Sequence, residues 1–170
     1  GSPQVRVMIV SGHTAGEFEA MDFYLDHLLH LPNMTVVGCQ AVEGSMVLQL
    51  ECLNDTMSCP HCGRTLDTIN QREAVLIRDL PVFGQQVYLQ VPRRQFHCGD
   101  CQKFCTERLP FMAWRHHHTL RYEQAIYEQV KQTSLEAVSR AEGLGAAEVK
   151  TIFEQQAAGS IKKPSAFPNA

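Results

Sequence analysis

Four cysteines in two pairs are the residues whose types and spacing most clearly predict chemistry. Cys59 and Cys62 enclose two residues in CPHC, and Cys98 and Cys101 enclose two in CGDC. Each pair lets two thiolates approach one metal ion, and two pairs complete a tetrahedral four-thiolate zinc site. Because four thiolates leave no open position for a substrate or water, we predict one structural Zn²⁺.

The remaining thiols and the neighbouring histidines leave alternatives open. Two disulfides would suit an oxidising compartment, but seven cysteines leave one unpaired and no secretory signal is apparent. A redox-active CxxC is a further, weaker interpretation. Cys105 competes as a metal ligand, whereas Cys39 and Cys52 are predicted to be small buried apolar residues. His61 and His97 are predicted to flank the site without binding the metal.

Short strands are predicted to position the two cysteine pairs. Residues 74–97 alternate apolar and polar side chains around the turn PVFG, which predicts an antiparallel sheet with CPHC and CGDC at neighbouring tips. Upstream, MDFYLDHLLHLP has helical spacing and stops at Pro32. The following segment, MTVVGCQAVEGSMVLQLECL, predicts two strands that turn at Glu43 and Gly44.

The C-terminal part of the chain is predicted to be helical. Residues 120–132 form one helix, and residues 134–157 form two short helices around a turn at Gly143. Apolar residues at Val138, Leu144, Val149 and Ile152 have the spacing that packs the second helix of a helix-turn-helix on the first. An ordinary helical hairpin is the alternative, because the second helix carries two glutamates beside its one lysine.

Charge is divided unevenly along the chain and indicates where nucleic acid would bind. Residues 59–131 carry ten Lys and Arg against seven Asp and Glu, whereas residues 1–58 carry one against seven. The run WRHHHTLR predicts a polar linker with phosphate-contacting arginines at its ends. We predict phosphate contacts from Arg93, Arg94, Arg115 and Arg121, and base contacts from Lys150, Thr151 and Gln155 on the outer face of the last helix.

Two long segments resemble the N-terminal region of bacterial insertion-sequence transposases of the ISL3 family. The resemblance covers residues 23–157 and is most specific in the CPxCG knuckle, in RDLPVFGQQVYLQVPRRQFHCGDC and in TERLP. In that family a zinc finger and a helix-turn-helix precede a DDE-type nuclease domain and are expected to recognise terminal inverted repeats. The resemblance places the zinc ligands on the same four cysteines. One departure is Gly145, where a Ser or Thr helix cap would be usual.

The expected fold is α+β, a zinc-ribbon-like domain with a small antiparallel sheet followed by a helical domain. Its parts are an unstructured or tag-derived segment 1–20, a zinc-binding domain 21–112, a helix-turn-helix domain 113–157 and a flexible tail 158–170. We expect a cytoplasmic, nucleoid-associated protein that binds double-stranded DNA, with a homodimer left open and no membrane or small-molecule substrate. Only 13 residues follow position 157, so we expect no nuclease domain and no enzymatic activity. The alternative function is a zinc-stabilised adaptor or a transcriptional regulator descended from such a transposase.

Overall fold

The computed structural model describes residues 25–113 and 115–161. The predicted unstructured segment 1–20 and most of the predicted tail lie outside these ranges. The predicted first helix is present at residues 25–29 and ends before His30, which has a positive φ of 52°. The Asp26 carboxylate in this helix accepts hydrogen bonds from the Thr35 hydroxyl and the Val36 amide, both at 2.7 Å. These bonds fasten the helix to the first strand.

Seven strands in the described ranges form one five-stranded sheet and one two-stranded sheet. Their bounds are β1 Met34–Val42, β2 Ser45–Cys52, β3 Met57–Ser58, β4 Thr65–Leu66, β5 Ile69–Val82, β6 Gln85–Cys98 and β7 Lys103–Thr106. The large sheet has the order β1-β2-β6-β5, with β7 also on β6, and β3 pairs with β4 separately. All pairs are antiparallel except β2 with β6, which run parallel. The α+β prediction is confirmed, although the sheet begins at residue 69 rather than 74 on its β5 side and includes one parallel pair.

Both long hairpins turn through two residues with positive φ. Glu43 and Gly44 have φ of 47° and 79°, and Phe83 and Gly84 have φ of 50° and 77°. Two left-handed residues in succession match the right-handed twist of the flanking strands, which is why such turns close hairpins. Because β2 and β6 are parallel neighbours, the two turns lie at the same end of the sheet and the cysteine pairs at the other.

The alternation predicted for β6 sets the main core. Val87, Leu89 and Val91 are at most 2% exposed, whereas Tyr88 and Gln90 on the opposite face are half-buried. This face packs against apolar residues of the neighbouring strands and of the segment that follows β7; the buried members are Met34, Val36, Leu48, Leu50, Ile77, Leu109 and Phe111. The period of two along this part of the strand therefore separates a packed face from a more exposed one.

In the part of the chain that the structure describes, three helices follow the sheet and share a second core. They are α1 Leu120–Gln132, α2 Leu135–Glu142 and α3 Ala146–Ile161. The α1 bounds match the prediction, and α3 runs four residues beyond the predicted end at 157. The buried side chains at their centre are Tyr122, Ile126, Val130, Val138, Val149 and Ile152. None of the helices in the described ranges is long and apolar enough to cross a membrane.

The helix ends are capped in the ways that their sequence favours. The Thr119 hydroxyl accepts from the Tyr122 amide at the start of α1, and the Ser134 hydroxyl accepts from the Ala137 amide at the start of α2. Gly143 ends α2 in the left-handed conformation, with φ of 66°. The predicted turn glycine thus lies where a residue without a Cβ fits best.

Candidate metal centre and nucleic-acid interface

The first cysteine pair lies in a tight turn after β3. The Gly63 amide donates to the Cys59 carbonyl at 2.9 Å, and the Cys59 amide donates to the Arg64 carbonyl at 2.8 Å. Gly63 has a φ of 76°, which favours glycine at this position. The turn brings the side chain of Cys62 back toward that of Cys59.

The second pair lies in the turn between β6 and β7, beside the first. Cys98 is the last residue of β6 and is fully buried, and Cys101 follows in the turn. Arg64 of the first turn forms an ion pair with Asp100 of the second. The two turns therefore meet as the sequence predicted.

The four sulfur atoms have the spacing of a tetrahedral metal site. The Sγ atoms of Cys59, Cys62, Cys98 and Cys101 all lie within 4.8 Å of one another. Cys62 Sγ and Cys98 Sγ are 3.7 Å apart, and a Zn–S bond of about 2.3 Å gives a tetrahedral edge of about 3.8 Å. Four soft thiolates at this spacing fit Zn²⁺ and leave no open coordination position.

The electrostatics of the cluster call for a cation. The backbone amides of Cys62 and His61 donate to Cys59 and lower its pKa to about 6. Cys101 shows the opposite effect, because its hydrogen bond with Cys62, burial and the nearby Cys59 thiolate raise its pKa. Thiolates this close repel one another, and a divalent ion among them removes that repulsion.

Cys105 is a fifth thiol at the edge of the cluster. It lies on β7, it is 4% exposed, and its Sγ is 3.9 Å from Cys59 Sγ. It does not belong to the group of four mutually close sulfurs. Burial raises its pKa, with a further contribution from the contact with Cys59. The geometry favours a neighbour that packs on the site over a ligand.

Cys39, Cys52 and the flanking histidine side chains do not belong to the group of four mutually close ligand atoms. All seven cysteines are free, so the structure contains neither of the two disulfides considered above. Cys39 is exposed, and the prediction that it is buried is wrong, because β1 shifts register between Val36 and Gly38 and lies at the edge of the sheet. Cys52 is half-buried. His97 packs its ring on Phe104, with 5.0 Å between ring centroids.

The predicted base-contacting residues share one exposed face of α3. Lys150, Thr151 and Gln155 are exposed, whereas the neighbouring Val149 and Ile152 are buried against the other two helices. The Lys150 ammonium is 3.9 Å from the Glu154 carboxylate on the same face. This face is available to a large ligand, as a groove-reading helix requires.

Arg93 and Arg94 point to opposite faces of β6 and have different roles. Arg94 is fully buried: its Nε and Nη2 donate to the two oxygens of Glu107 at 2.8 and 2.7 Å, and its Nη1 donates to the Asn54 carbonyl at 2.6 Å. The predicted phosphate contact of Arg94 does not fit this placement. The side chain of Arg93 is 41% exposed and pairs with Glu73, so it can still reach a phosphate.

The arginines at the two ends of the histidine run also differ. Arg115 is exposed and has a φ of 63°. Arg121 donates through Nε to Asp79 at 2.7 Å and through Nη1 to the Leu29 carbonyl at 2.7 Å. Its guanidinium therefore joins α1 to the sheet and to the short N-terminal helix at residues 25–29. These contacts weaken its predicted role in phosphate contact.

The histidine run is predicted to be a polar linker, but it is packed into the fold. The Arg78 amide donates to the His117 carbonyl, and the Thr119 amide donates to the Arg78 carbonyl, so the run pairs with the edge of β5. His118 is 7% exposed, and its Nε2 lies 2.8 Å from the Glu148 carboxylate of α3. The run thus joins the sheet to the helices.

Glu123, which the sequence analysis did not single out, is the centre of this junction. It is 1% exposed, and its Oε1 lies 2.6 Å from His116 Nδ1 and 3.4 Å from His118 Nδ1. Burial alone would raise its pKa, but hydrogen bonds and proximity to the two histidines lower the pKa below its ordinary value. A sequence signal existed, because Glu123 shares a helical face with the apolar Ile126 and Val130.

A second buried ion pair holds the helices on the sheet. The Arg78 guanidinium donates to the Glu142 carbonyl at 2.7 Å and lies over the Tyr122 ring, 5.0 Å from its centroid. The Tyr122 hydroxyl donates to the Glu142 carboxylate at 2.9 Å. The Arg78 guanidinium also pairs with the Glu142 carboxylate at 3.2 Å, so these contacts fix the orientation of α1 and α2 relative to the sheet.

Two cysteine turns meet at the end of a small sheet, and three helices follow, the third with one exposed face. This combination is typical of DNA-binding regions that join a zinc ribbon to a helix-turn-helix. Residues 55–101 match a family described as the zinc-finger of transposase IS204/IS1001/IS1096/IS1165. Residues 107–157 match the helix-turn-helix domain of transposase family ISL3. The two matches confirm the predicted resemblance: these residues are similar to the zinc-finger and helix-turn-helix region of ISL3-family transposases.

A curated relative agrees with this assignment. The transposase for insertion sequence element IS1001 of Bordetella parapertussis is 32% identical over 108 residues, which are 64% of this chain and 27% of the relative. The match therefore spans about a quarter of that transposase. No solved structure matches the chain.

Proposed function

We propose that this chain recognises the terminal inverted repeats of an insertion sequence. The observation that carries the proposal is the exposed polar face of α3, which the buried contacts of Val149 and Ile152 hold outward. Lys150, Thr151 and Gln155 on this face would read base edges in the major groove. DNA binding is the proposed role of the described residues, and we propose no catalytic step for them.

Phosphate contacts are assigned to a smaller set of arginines than the sequence suggested. Arg93 and Arg115 keep exposed guanidinium groups and remain in the proposed interface. Arg94 and Arg121 are proposed to act indirectly, because their ion pairs with Glu107 and Asp79 support the surface. Phosphate contacts supply affinity and orientation without reading the sequence.

One structural Zn²⁺ per chain is part of the proposal. Cys59, Cys62, Cys98 and Cys101 would hold it and supply all four ligands. The ion would fix the tips of β6 and β7 and, through them, the segment that leads to the helices. We propose that the chain acts in the bacterial cytoplasm on chromosomal DNA, and that two copies meet the two inverted ends as a homodimer.

A protein-interaction adaptor is the second candidate function. Two exposed carboxylates favour it, since Glu148 and Glu154 are 44% and 64% exposed on the helix that would face DNA. Glu148 is paired with His118, however, and Glu154 lies near Lys150, so each carboxylate already has a partner within the fold.

Double substitution on α3 tests the proposal. Lys150→Ala with Gln155→Ala should leave binding to random duplexes within about threefold and reduce the preference for the terminal repeat at least tenfold, because each base contact contributes about 1–3 kcal/mol of discrimination. Binding curves on repeat and scrambled duplexes measure both quantities. Lys131→Ala, in the last turn of α1, is the charge-matched control. An unchanged preference in the double variant would contradict the role of α3.

A further inference from the structure

A cavity of about 190 Å³ lies between the packed face of the sheet and the segment that follows β7. Its walls are apolar and comprise Val75, Val91, Leu109, Met112 and Ala113. An apolar protein cavity of about 150 Å³ holds one benzene ring. The cavity is therefore large enough for one aromatic ring, and its walls suit a flat apolar surface.

The mouth of this cavity is basic. Arg93, Arg108 and Arg115 line it together with Glu107. Both oxygens of Glu107 already accept hydrogen bonds from Arg94, which offsets the charge of this carboxylate, just as Glu73 pairs with Arg93. The ligand that matches such a site combines an aromatic ring with a neighbouring anion.

Arg115 also borders the surface of the proposed recognition helix. It lines an adjoining groove together with the histidine run and with Glu148, Thr151 and Ile152 of α3. A strand of nucleic acid that contacts Thr151 can therefore continue past Arg115 to the mouth of the cavity. Continuity with α3 makes bound DNA the occupant that the surface favours.

We propose that the cavity binds one unstacked nucleobase of the DNA held by α3, with its flanking phosphates on Arg93, Arg108 and Arg115. This inference rests on the proposed DNA-binding function. A base is a planar ring bonded to a phosphodiester chain, and arginine provides both charge and stacking for such a group. Extruding a base from a duplex costs a few kcal/mol, so a base that is already unpaired should bind more tightly.

The test uses the full chain with zinc and a duplex that the protein selects from a random pool. Single unpaired thymines are placed at each position, and affinities are compared with the perfect duplex. At one position the unpaired base should improve affinity about tenfold, because the unstacking cost of a few kcal/mol is reduced there. The fluorescence of a 2-aminopurine at that position in the perfect duplex should increase several-fold on binding, because the base leaves the stack.

Two matched variants locate the effect. Ala113→Leu adds volume inside the cavity and should abolish both the tenfold preference and the brightening, while binding to the perfect duplex stays within about threefold. Ala74→Leu adds the same volume next to Val75 on the opposite, exposed face of the sheet. It should behave like the unmodified chain in both assays.

The outcomes separate this inference from the proposed function. Binding to the perfect duplex with no preferred unpaired position and no brightening would overturn the base pocket and leave DNA binding intact. Absence of binding to any duplex would overturn both. If free deoxynucleoside monophosphates bound as tightly as the duplex with the preferred unpaired base, the assignment of the cavity to a base of bound DNA would be overturned. The 2-aminopurine measurement uses the unmodified chain and does not depend on how either variant folds.

Discussion

The zinc-ribbon tip, which contains the two cysteine turns, and the three-helix unit, which comprises α1 to α3, are stabilised by different forces. At the tip, three of the five buried residues that form the local cluster are cysteines, and the others are Leu66 and Phe96. The helical unit instead buries six apolar or aromatic residues and caps two helices with hydroxyl groups. A small cluster of thiols cannot supply the apolar burial of the helical core, so the tip should depend on metal and the helical unit should not.

The junction between these two regions is held by buried charged groups. Arg78 with Glu142, Arg121 with Asp79, and Glu123 with two histidines all connect sheet and helices. Buried ion pairs contribute little net stability but become costly when one partner is removed. They therefore specify how the two regions are oriented, whereas thiols and apolar residues determine whether each region folds.

Loss of a metal ligand should have the largest effect and should fall on one region. Cys98→Ser should abolish stoichiometric zinc binding and unfold the tip, because metal binding of about 10 kcal/mol or more is coupled to folding. Cys105→Ser is the matched control and should retain one zinc. Metal analysis together with amide hydrogen exchange measures both, with exchange in α1 to α3 expected to change little. Retained zinc in Cys98→Ser, or faster amide exchange in α1 to α3, would contradict the claim that only the zinc-binding tip depends on the metal.

Substitution of the two adjacent arginines should have the next largest effect. Arg94→Ala leaves Glu107 half-buried without its partner and should lower the free energy of unfolding by about 3–5 kcal/mol. Arg93→Ala removes a surface ion pair and should cost under about 1 kcal/mol while it weakens DNA binding. Denaturant unfolding compares the two variants. Equal losses of stability would show that Arg94 is not the buried anchor described here.

The pH dependence at the junction should show a smaller effect of defined sign. The pKa of Glu123 is lowered in the folded chain from its ordinary value of 4.5, so its charged form stabilises the fold above pH 4.5 and this contribution disappears as the pH falls through the folded pKa. Glu123→Gln should cost about 2 kcal/mol at pH 7 and progressively less below pH 4.5. Unfolding curves of both proteins from pH 3 to pH 7 provide the test. A difference that grows as the pH falls from 4.5 to 3 would have the wrong sign.

Local patterns were sufficient to predict the hairpins, the helices and the four clustered cysteines. The strand alternation around PVFG, the turn at Glu43 and Gly44, and the CxxC spacing each act over a few residues. Periodicity in α1 to α3 also identified buried residues such as Val138 and Val149. These features depend on neighbours in sequence, which is why the sequence alone reveals them.

Long-range pairing could not be predicted in the same way. The parallel contact between β2 and β6, and the pairing of the histidine run with β5, join residues far apart in the chain. Arg93 and Arg94 are chemically identical, and the distant partners Glu107 and Asn54 distinguish the buried side chain from the exposed one. The burial predicted for Cys39 is wrong because a register shift on an edge strand has no signature in the local sequence.

The salt dependence of DNA binding by the unmodified chain tests the central claim most directly. If Arg93 and Arg115 contact phosphates while α3 lies in the major groove, the logarithm of the binding constant should fall linearly with the logarithm of salt concentration, and each substitution to alanine should shallow the slope by about 0.9. Repeat and scrambled duplexes should give the same slope and different intercepts. A binding constant that is independent of salt, or no binding to either duplex at low salt, would contradict the account and favour the adaptor.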